Sequence, residues 1–493
     1  MANSETKSVI RHGRLYGLSN LISRSSGLVL LPVYTHILTP VEFGLYASTI
    51  LVTDLISVVL GMGLGRALIR MHVEQETQVG KDAVVWSAMA MFAAMSVVIA
   101  VLAHPIALLA TNVLFGSTEE AWLFTWAIWA LIPSTLFNLQ LNYIVVLKKS
   151  FFYLIISVLK AFLFIALNLW IVVWLGLGVF GIVVSTFCAS AIVVGVILAY
   201  MVRTTSIVMS RPLSVEMAKF GAPLVPTILL DTVIASLDRY IISPVQGTAA
   251  LGYYGLAVRL ASLINLFVTS PFLQIWGVRQ LEALEADGDQ RELPNVFFQF
   301  TLVLLLISAA IGLFSGLAVQ IIADDAYAPA AAVLPWLAAA QVAVALRNFA
   351  EIGLHHAKKT SPLMVIAFIS LAVAVPLYWG AVHVAGIIGV AAASFLLALL
   401  RTCLTMGWAD RHSGLIRLFP WVRLGFAAII STVVVLVGTT FDGRFLPIQE
   451  ILLKLGVLAV LAVVLGLLAG GTDWIKQRTG KVPQVKDAAS PSG

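Results

Sequence analysis

The chain has 493 residues, 60% of them hydrophobic and only 11% charged, where a soluble domain carries about 25% charged residues; a chain this apolar has no soluble way to hide its surface. Its net charge of +6 would suit nucleic acid, but no Lys/Arg cluster with interleaved aromatics appears, which argues against that partner. The two cysteines, Cys188 and Cys403, both lie inside apolar runs and supply neither a disulfide framework nor metal-ligand spacing.

Residues 1–14 are polar and basic, with Lys7, Arg11 and Arg14. The first apolar run is peppered with polar groups and lacks a clear small-residue cleavage site, which predicts a retained first span rather than a signal peptide. Runs of about 20 apolar residues, the length a bilayer demands, then recur along the chain. Hydropathy places spans near 14–37, 43–68, 84–109, 121–146, 151–175, 179–202 and 217–240. Others follow near 250–277, 293–320, 329–349, 361–382, 385–407, 422–440 and 450–471. A continuous helix satisfies its own backbone in lipid, and the long unalternated runs exclude a barrel. The expected fold is an all-α polytopic membrane protein of about 14 transmembrane helices. It divides into a six-helix lobe over 1–205, a second over 206–410, a terminal helix pair over 411–473 and a polar cytoplasmic tail over 474–493.

Basic residues test this layout. With the N-terminus inside, the inner loops carry Arg70 and Lys81, Lys148 and Lys149, Arg203 and Arg211, Arg279 and Arg291. Further on come Lys358 and Lys359, Arg411 and Arg417, and a tail with Lys476, Arg478, Lys481 and Lys486. The outer loops hold Glu42, Glu119, Glu120, Asp324 and Asp325, and almost no base except Arg444. That alternation follows the positive-inside rule and predicts both termini in the cytoplasm.

An internal repeat accompanies it. Gly13 and Gly44 recur as Gly221 and Gly252, and Tyr46 as Tyr254, all at one offset of 208. Both units begin inside, so the repeats are parallel, and transporters are often built from such related halves.

The stretch from Leu31-Pro32-Val33-Tyr34-Thr35 through Leu38-Thr39-Pro40 to Glu42-Phe43-Gly44-Leu45-Tyr46 resembles the opening of polysaccharide-exporting lipid flippases. Phe220-Gly221-Ala222-Pro223, Leu237-Asp238-Arg239-Tyr240-Ile241-Ile242 and Leu251-Gly252-Tyr253-Tyr254 are similar to that family's seventh and eighth spans. The family belongs to the multidrug/oligosaccharidyl-lipid/polysaccharide exporter superfamily, and the likeness covers roughly residues 10–410. It implies a two-lobed transporter with a central cavity in the bacterial inner membrane. Such a protein moves undecaprenyl-diphosphate-linked oligosaccharide outward for lipopolysaccharide (O-antigen) or exopolysaccharide synthesis, by alternating access. The implied partners are membrane lipid, the polyprenyl-diphosphate-linked oligosaccharide, and a polysaccharide polymerase with other biosynthesis proteins.

Charges at membrane depth cost roughly 2.5–3.5 kcal/mol each, so those retained need a reason. Arg24, Asp54, Lys160, Asp231 and Arg259 lie well inside the expected spans. Asn20, Ser23, Arg24 and Gly27 form one helical stripe, which lines either a helix contact or a watery cavity. Arg24, Lys160 and Arg259 are candidates to grip a diphosphate, arginine through its planar fork; the alternative is a buried ion pair of Arg24 with Asp54 or Asp231. Asp231 follows Pro223 and Pro226, which interrupt the helical ladder. With Asp54, it is a candidate either for coupling to a proton or sodium gradient or for charge balance. Asp238 and Arg239, placed near the outer end of their helix, suit a gating or structural role. Asn138, Gln140 and Asn142 read as contacts between helices, and Gly44 and Gly252 as sites of close packing or bending. Trp86, Trp122, Trp421 and Trp474 read as interfacial anchors. His355 and His356 lack a third ligand, so no metal or catalytic site is expected.

A membrane glycosyltransferase or polymerase would need a sizeable loop bearing acids or a phosphate cradle, and none is present. A cation-coupled multidrug antiporter of the same superfamily is the remaining alternative. Its cavity is expected to be acidic or aromatic rather than cationic.

Overall fold

The computed structural model describes residues 17, 19, 21–23, 25–284, 293–356, 361–413, 419–439 and 447–470. Arg24, Asn20, Gly13, the tail after residue 470, and the loop bases Lys7, Arg11, Arg14, Arg291, Lys358, Lys359, Arg417 and Arg444 lie outside them. So do the side chains of Arg279, His355 and His356. Every regular element among the described residues is helical.

Eleven described helices are long and apolar enough to cross a membrane, or twelve if Arg211–Gly221 and Leu224–Gln246, which meet at 41°, form one span. The expected span 14–37 falls partly outside the described residues; its described end includes the helix α1 (Leu31–Ile37). The expected spans 361–382 and 385–407 lie in one helical run, Ser361–Ser413, with a break at Ala385 and Gly386. Gly386 has φ 55°, a left-handed conformation that glycine adopts without strain.

The described helices fall into two compact units. The first comprises Met1–Arg259, Val319–Val333 and Ala367–Ala393. Its helices include α2 (Pro40–Gly61), α3 (Leu64–Glu74), α4 (Gln78–Phe115), α5 (Ala121–Val146), α6 (Ser150–Asn168), α7 (Gly178–Thr204), α8 (Arg211–Gly221) and α9 (Leu224–Gln246). After α9 comes α10 (Thr248–Ala261). Thr39 and Glu42 start α2 with a reciprocal capping box: Thr39 N donates to Glu42 Oε2 at 2.8 Å and Glu42 N to Thr39 Oγ1 at 3.3 Å. Pro40 occupies the first turn, where a missing N–H costs nothing. α2 ends at Met62 and Gly63, both left-handed. The core is built from Leu60, Leu68, Phe92, Phe124, Ile144 and Ile197, all nearly inaccessible. Outward-facing Val101, Phe162 and Trp174 are exposed, as a surface solvated by lipid tails requires. α9 is tied to earlier helices by two bonds: Tyr240 donates to the Leu51 carbonyl at 2.7 Å and Ser243 to that of Leu114 at 3.0 Å.

The second unit comprises Leu260–Ala318, Leu334–Ile366 and Ser394–Gly493. Its core is aromatic, with Phe297 stacked on Phe419 at 4.2 Å and Phe272 on Phe300 at 3.9 Å. Helices Trp421–Thr439 and Pro447–Gly470 belong to this unit. Leu424, Ala427, Leu461 and Leu465 share its core with Phe297 and Phe298. Lys454, 1% exposed, pairs with Glu450 Oε1 at 2.7 Å. Arg347 pairs with Glu351 at 3.3 Å. Neither pair stands out in the sequence as an interior charge, because each lies at the edge of its expected span.

Candidate functional site: a polar cavity in the first unit

Helices α2, α5, α6 and α7, together with Ser23, Ser26 and Gly27, line an open cavity of about 610 Å³. The α5 wall contributes Ser134 and Asn138, just past Pro133, which lacks the N–H needed to close its own helical bond. The α6 wall contributes Lys160. Its ammonium lies 4.1 Å from the Phe137 ring centroid and 3.5 Å from Ser134 Oγ. No described carboxylate lies within ion-pair distance of it. The α2 wall contributes Tyr46, Thr49, Thr53 and Asp54; the charges of Arg239 and Arg259 both act on Asp54. Among the described lining residues, Lys160 is the one base and Asp54 the one acid.

The other charged residues singled out from the sequence take different places. Arg259 stands 5.0 Å from the centroid of the Tyr46 ring and 5.8 Å from that of Phe43, and so lies one ring away from the cavity. Arg24 falls outside the described residues, but Ser23 and Gly27 of the same stripe line the cavity. Asp231 is exposed and does not line it. Asp238 is buried and accepts from the Tyr254 hydroxyl at 2.6 Å. Arg239 approaches Asp238 at 3.6 Å and donates to Ser236 Oγ at 2.9 Å. This pair sits about two turns inside α9 rather than near its end, where its partners hold helices together. Gln140 donates to the Val194 carbonyl at 3.4 Å and joins α5 to α7. Among the described residues no cluster of three metal-ligating side chains occurs.

The motif stretch that carries the family resemblance lies mainly beside the cavity. The Tyr34 hydroxyl donates to Asn168 Oδ1 at 2.7 Å, and Thr35 donates to the Ile322 carbonyl at 2.6 Å. Tyr327 donates to the Leu38 carbonyl at 2.8 Å and sets its ring edge-on to Phe43. Burial, with the carboxylates of Glu42 and Asp324 nearby, pushes the Tyr327 phenol above its ordinary range. The repeat glycines face one another. A Cβ on Gly44 would lie 1.9 Å from the Thr248 carbonyl oxygen, and one on Gly252 2.0 Å from that of Pro40. Pro40 and Thr248 are themselves 208 residues apart, so the contact is symmetric between the repeats. Gly44 and Gly252 thus allow close packing, the first of the two roles read from the sequence.

Residues 33–331, more than half of the chain, match the family described as polysaccharide biosynthesis protein. The succinoglycan biosynthesis transport protein ExoT of Rhizobium meliloti (strain 1021) is 25% identical over 253 residues. That match covers 50% of this chain and about half, 48%, of the relative's length. The fold is similar to that of the lipid II flippase MurJ in an inward closed conformation, with a TM-score of 0.72 and 14% identity. The likeness covers 91% of this chain and 98% of that one. An inward-facing multidrug resistance MATE family transporter of the MOP superfamily gives a TM-score of 0.66 at 16% identity, covering 80% of this chain and 95% of its own.

Proposed function

We propose that this chain, which belongs to the polysaccharide biosynthesis protein family, is a flippase that moves polyprenyl-diphosphate-linked oligosaccharide units across the bacterial inner membrane. The observation that carries the reading is Lys160: a base inside an apolar helical unit, facing a cavity, with an aromatic ring and a hydroxyl for partners and no described acid. An isolated cation at that depth is costly unless it meets an anion during the working cycle. Arg24, whose stripe neighbours Ser23 and Gly27 line the cavity, serves with it as a ligand of the diphosphate, Arg259 adds positive charge from behind the Tyr46 ring, and the polyprenyl tail stays in lipid. The work proceeds by alternating access, each lobe (1–205 and 206–410) moving as a unit, with both termini in the cytoplasm. Asp54 or Asp231 carries the coupling to a proton or sodium gradient or else balances the charge of a neighbouring arginine, and a polysaccharide polymerase takes up the product.

The likeness to MATE transporters favours a second reading, a cation-coupled multidrug antiporter. One experiment separates the two. A strain lacking the gene receives the wild type, Arg24→Ala or Lys160→Ala. Surface polysaccharide, lipid-linked oligosaccharide and drug susceptibility are then measured together. The flippase reading requires lost polysaccharide with accumulated lipid-linked intermediate, rescued by wild type alone at equal protein abundance. Normal polysaccharide with raised drug sensitivity moves the assignment to the antiporter.

A further inference from the structure

The hydrogen-bonding inventory of the cavity wall says more about its occupant than the charge does. Four lining hydroxyls already donate to their own helix: Ser26 to the Ser23 carbonyl at 2.8 Å, Thr49 to Tyr46 at 2.7 Å, Thr53 to Thr49 at 2.8 Å and Thr186 to Ile182 at 2.8 Å. A hydroxyl has one proton and two lone pairs. With the proton engaged, each of these groups offers the cavity an acceptor oxygen, and the Asp54 carboxylate adds acceptors of the same kind. An ionised diphosphate has acceptors only, so it finds no complement in these five groups.

Donors gather elsewhere. Lys160 has three N–H bonds, and Asn138 presents an exposed side-chain amide that bonds to no described residue. Ser190 lines the cavity with a hydroxyl that is fully buried and has no partner among the described residues. A buried polar atom left so costs about 1–3 kcal/mol until something bonds to it. The cavity therefore has acceptors on α2 and at Thr186 of α7, and donors at Asn138 of α5, Lys160 of α6 and Ser190 of α7. A polyol, whose every hydroxyl both donates and accepts, satisfies both sets; an anion satisfies one. The volume of about 610 Å³ falls in the range of roughly 300–1,000 Å³ in which proteins enclose one small ligand, which suits a short saccharide.

We infer that this cavity is a saccharide subsite, in which Thr53 and Thr186 accept from sugar hydroxyls while Asn138 and Ser190 donate to them. The inference rests on the flippase reading and adds which part of the substrate the first unit recognises. Lys160 holds the anionic end of the same ligand, where the sugar joins its diphosphate.

The test uses the full chain in lipid nanodiscs and two soluble probes, citronellyl diphosphate and the same molecule bearing one glucosyl or galactosyl residue. The expected result is at least fivefold tighter binding of a glycosylated probe by wild type. That preference falls below twofold in the isosteric Thr53→Val/Thr186→Val double variant, while affinity for the bare diphosphate moves less than twofold. Asn138→Leu, placed on a different wall, shows the same loss of preference, so a folding defect in the double variant does not end the test. Equal affinity of wild type for bare and glycosylated probes overturns the subsite and leaves the flippase reading standing. A preference retained in both variants does the same. Wild type that binds neither probe removes the flippase reading, and the subsite with it.

Discussion

The seam between the repeat glycines and the cavity beside it are made from the same helix, α2 (Pro40–Gly61), and obey opposite rules. In the seam, Thr35, Leu38 and Tyr327 join their hydrogen bonds to one another's segments, and backbone touches backbone at Gly44 and Gly252. Two turns further along α2, Thr49, Thr53 and Asp54 turn toward a space that no described side chain fills. The seam is finished chemistry whose worth is stability. The cavity is unfinished chemistry whose worth appears when a ligand arrives. If that distinction is right, seam variants lose stability, and cavity variants lose transport while keeping stability.

The largest loss of stability is expected for Gly252→Ala. Its new Cβ would lie 2.0 Å from the Pro40 carbonyl oxygen, a backbone atom that cannot rotate away. Forcing the two helices apart should cost about 3 kcal/mol, read as a lower melting temperature of the purified chain in detergent. Gly44→Ala should match it, because its Cβ meets Thr248 at 1.9 Å. Gly456→Ala is the control, since nothing lies within 4 Å of that position and alanine is the better helix former. Melting temperatures that fall equally in all three variants would break the comparison at its strong end.

These glycines were legible in the sequence because the repeat offset links them, and the close contact is its spatial form. The helical class and most spans were also legible, since apolar runs of bilayer length leave few other solutions. The Tyr327 and Thr35 bonds were not, because they join residues 289 and 287 positions apart and no local periodicity marks such a pair. Among the charges, spacing identified Lys160 and Asp54, which line one cavity, but could not separate them from Asp238, held by Tyr254, or from Asp231, outside that cavity. A one-dimensional pattern records depth in a helix; it does not record which neighbour a side chain meets. Lys454 escaped for a related reason, since its partner Glu450 lies four residues away on the same helix and the two together read as a span edge.

Smaller effects grade the seam. Tyr327→Phe keeps the ring against Phe43 and removes only the donor to the Leu38 carbonyl, so about 1–2 kcal/mol should be lost. Thr39→Ala removes the α2 cap and should cost about 1 kcal/mol, a downward shift in melting temperature smaller than that of Tyr327→Phe. If Thr39→Ala proves worse than Gly252→Ala, the seam is held by its helix ends rather than by its close contact.

The smallest effect on stability, and the most informative one, belongs to Lys160→Met. Methionine has a similar length and fits among Phe137, Phe164 and Ala161, which line the same space. A base without a described acid contributes desolvation cost to the empty protein and no compensating ion pair. Removing the charge should therefore leave the melting temperature unchanged or raise it. Polysaccharide export in the complemented strain should nevertheless fall at least about tenfold, which corresponds to 1.4 kcal/mol of lost interaction with the moving anion. Lys160→Arg, which keeps the charge on a larger head, should recover part of that loss. A melting temperature that drops as far as in Gly252→Ala would mean that the lysine holds the fold, and the line drawn between seam and cavity would disappear. Stability retained with export lost would place the lysine's energetic return in the loaded state, the one condition under which a cation at that depth without a described acid is worth keeping.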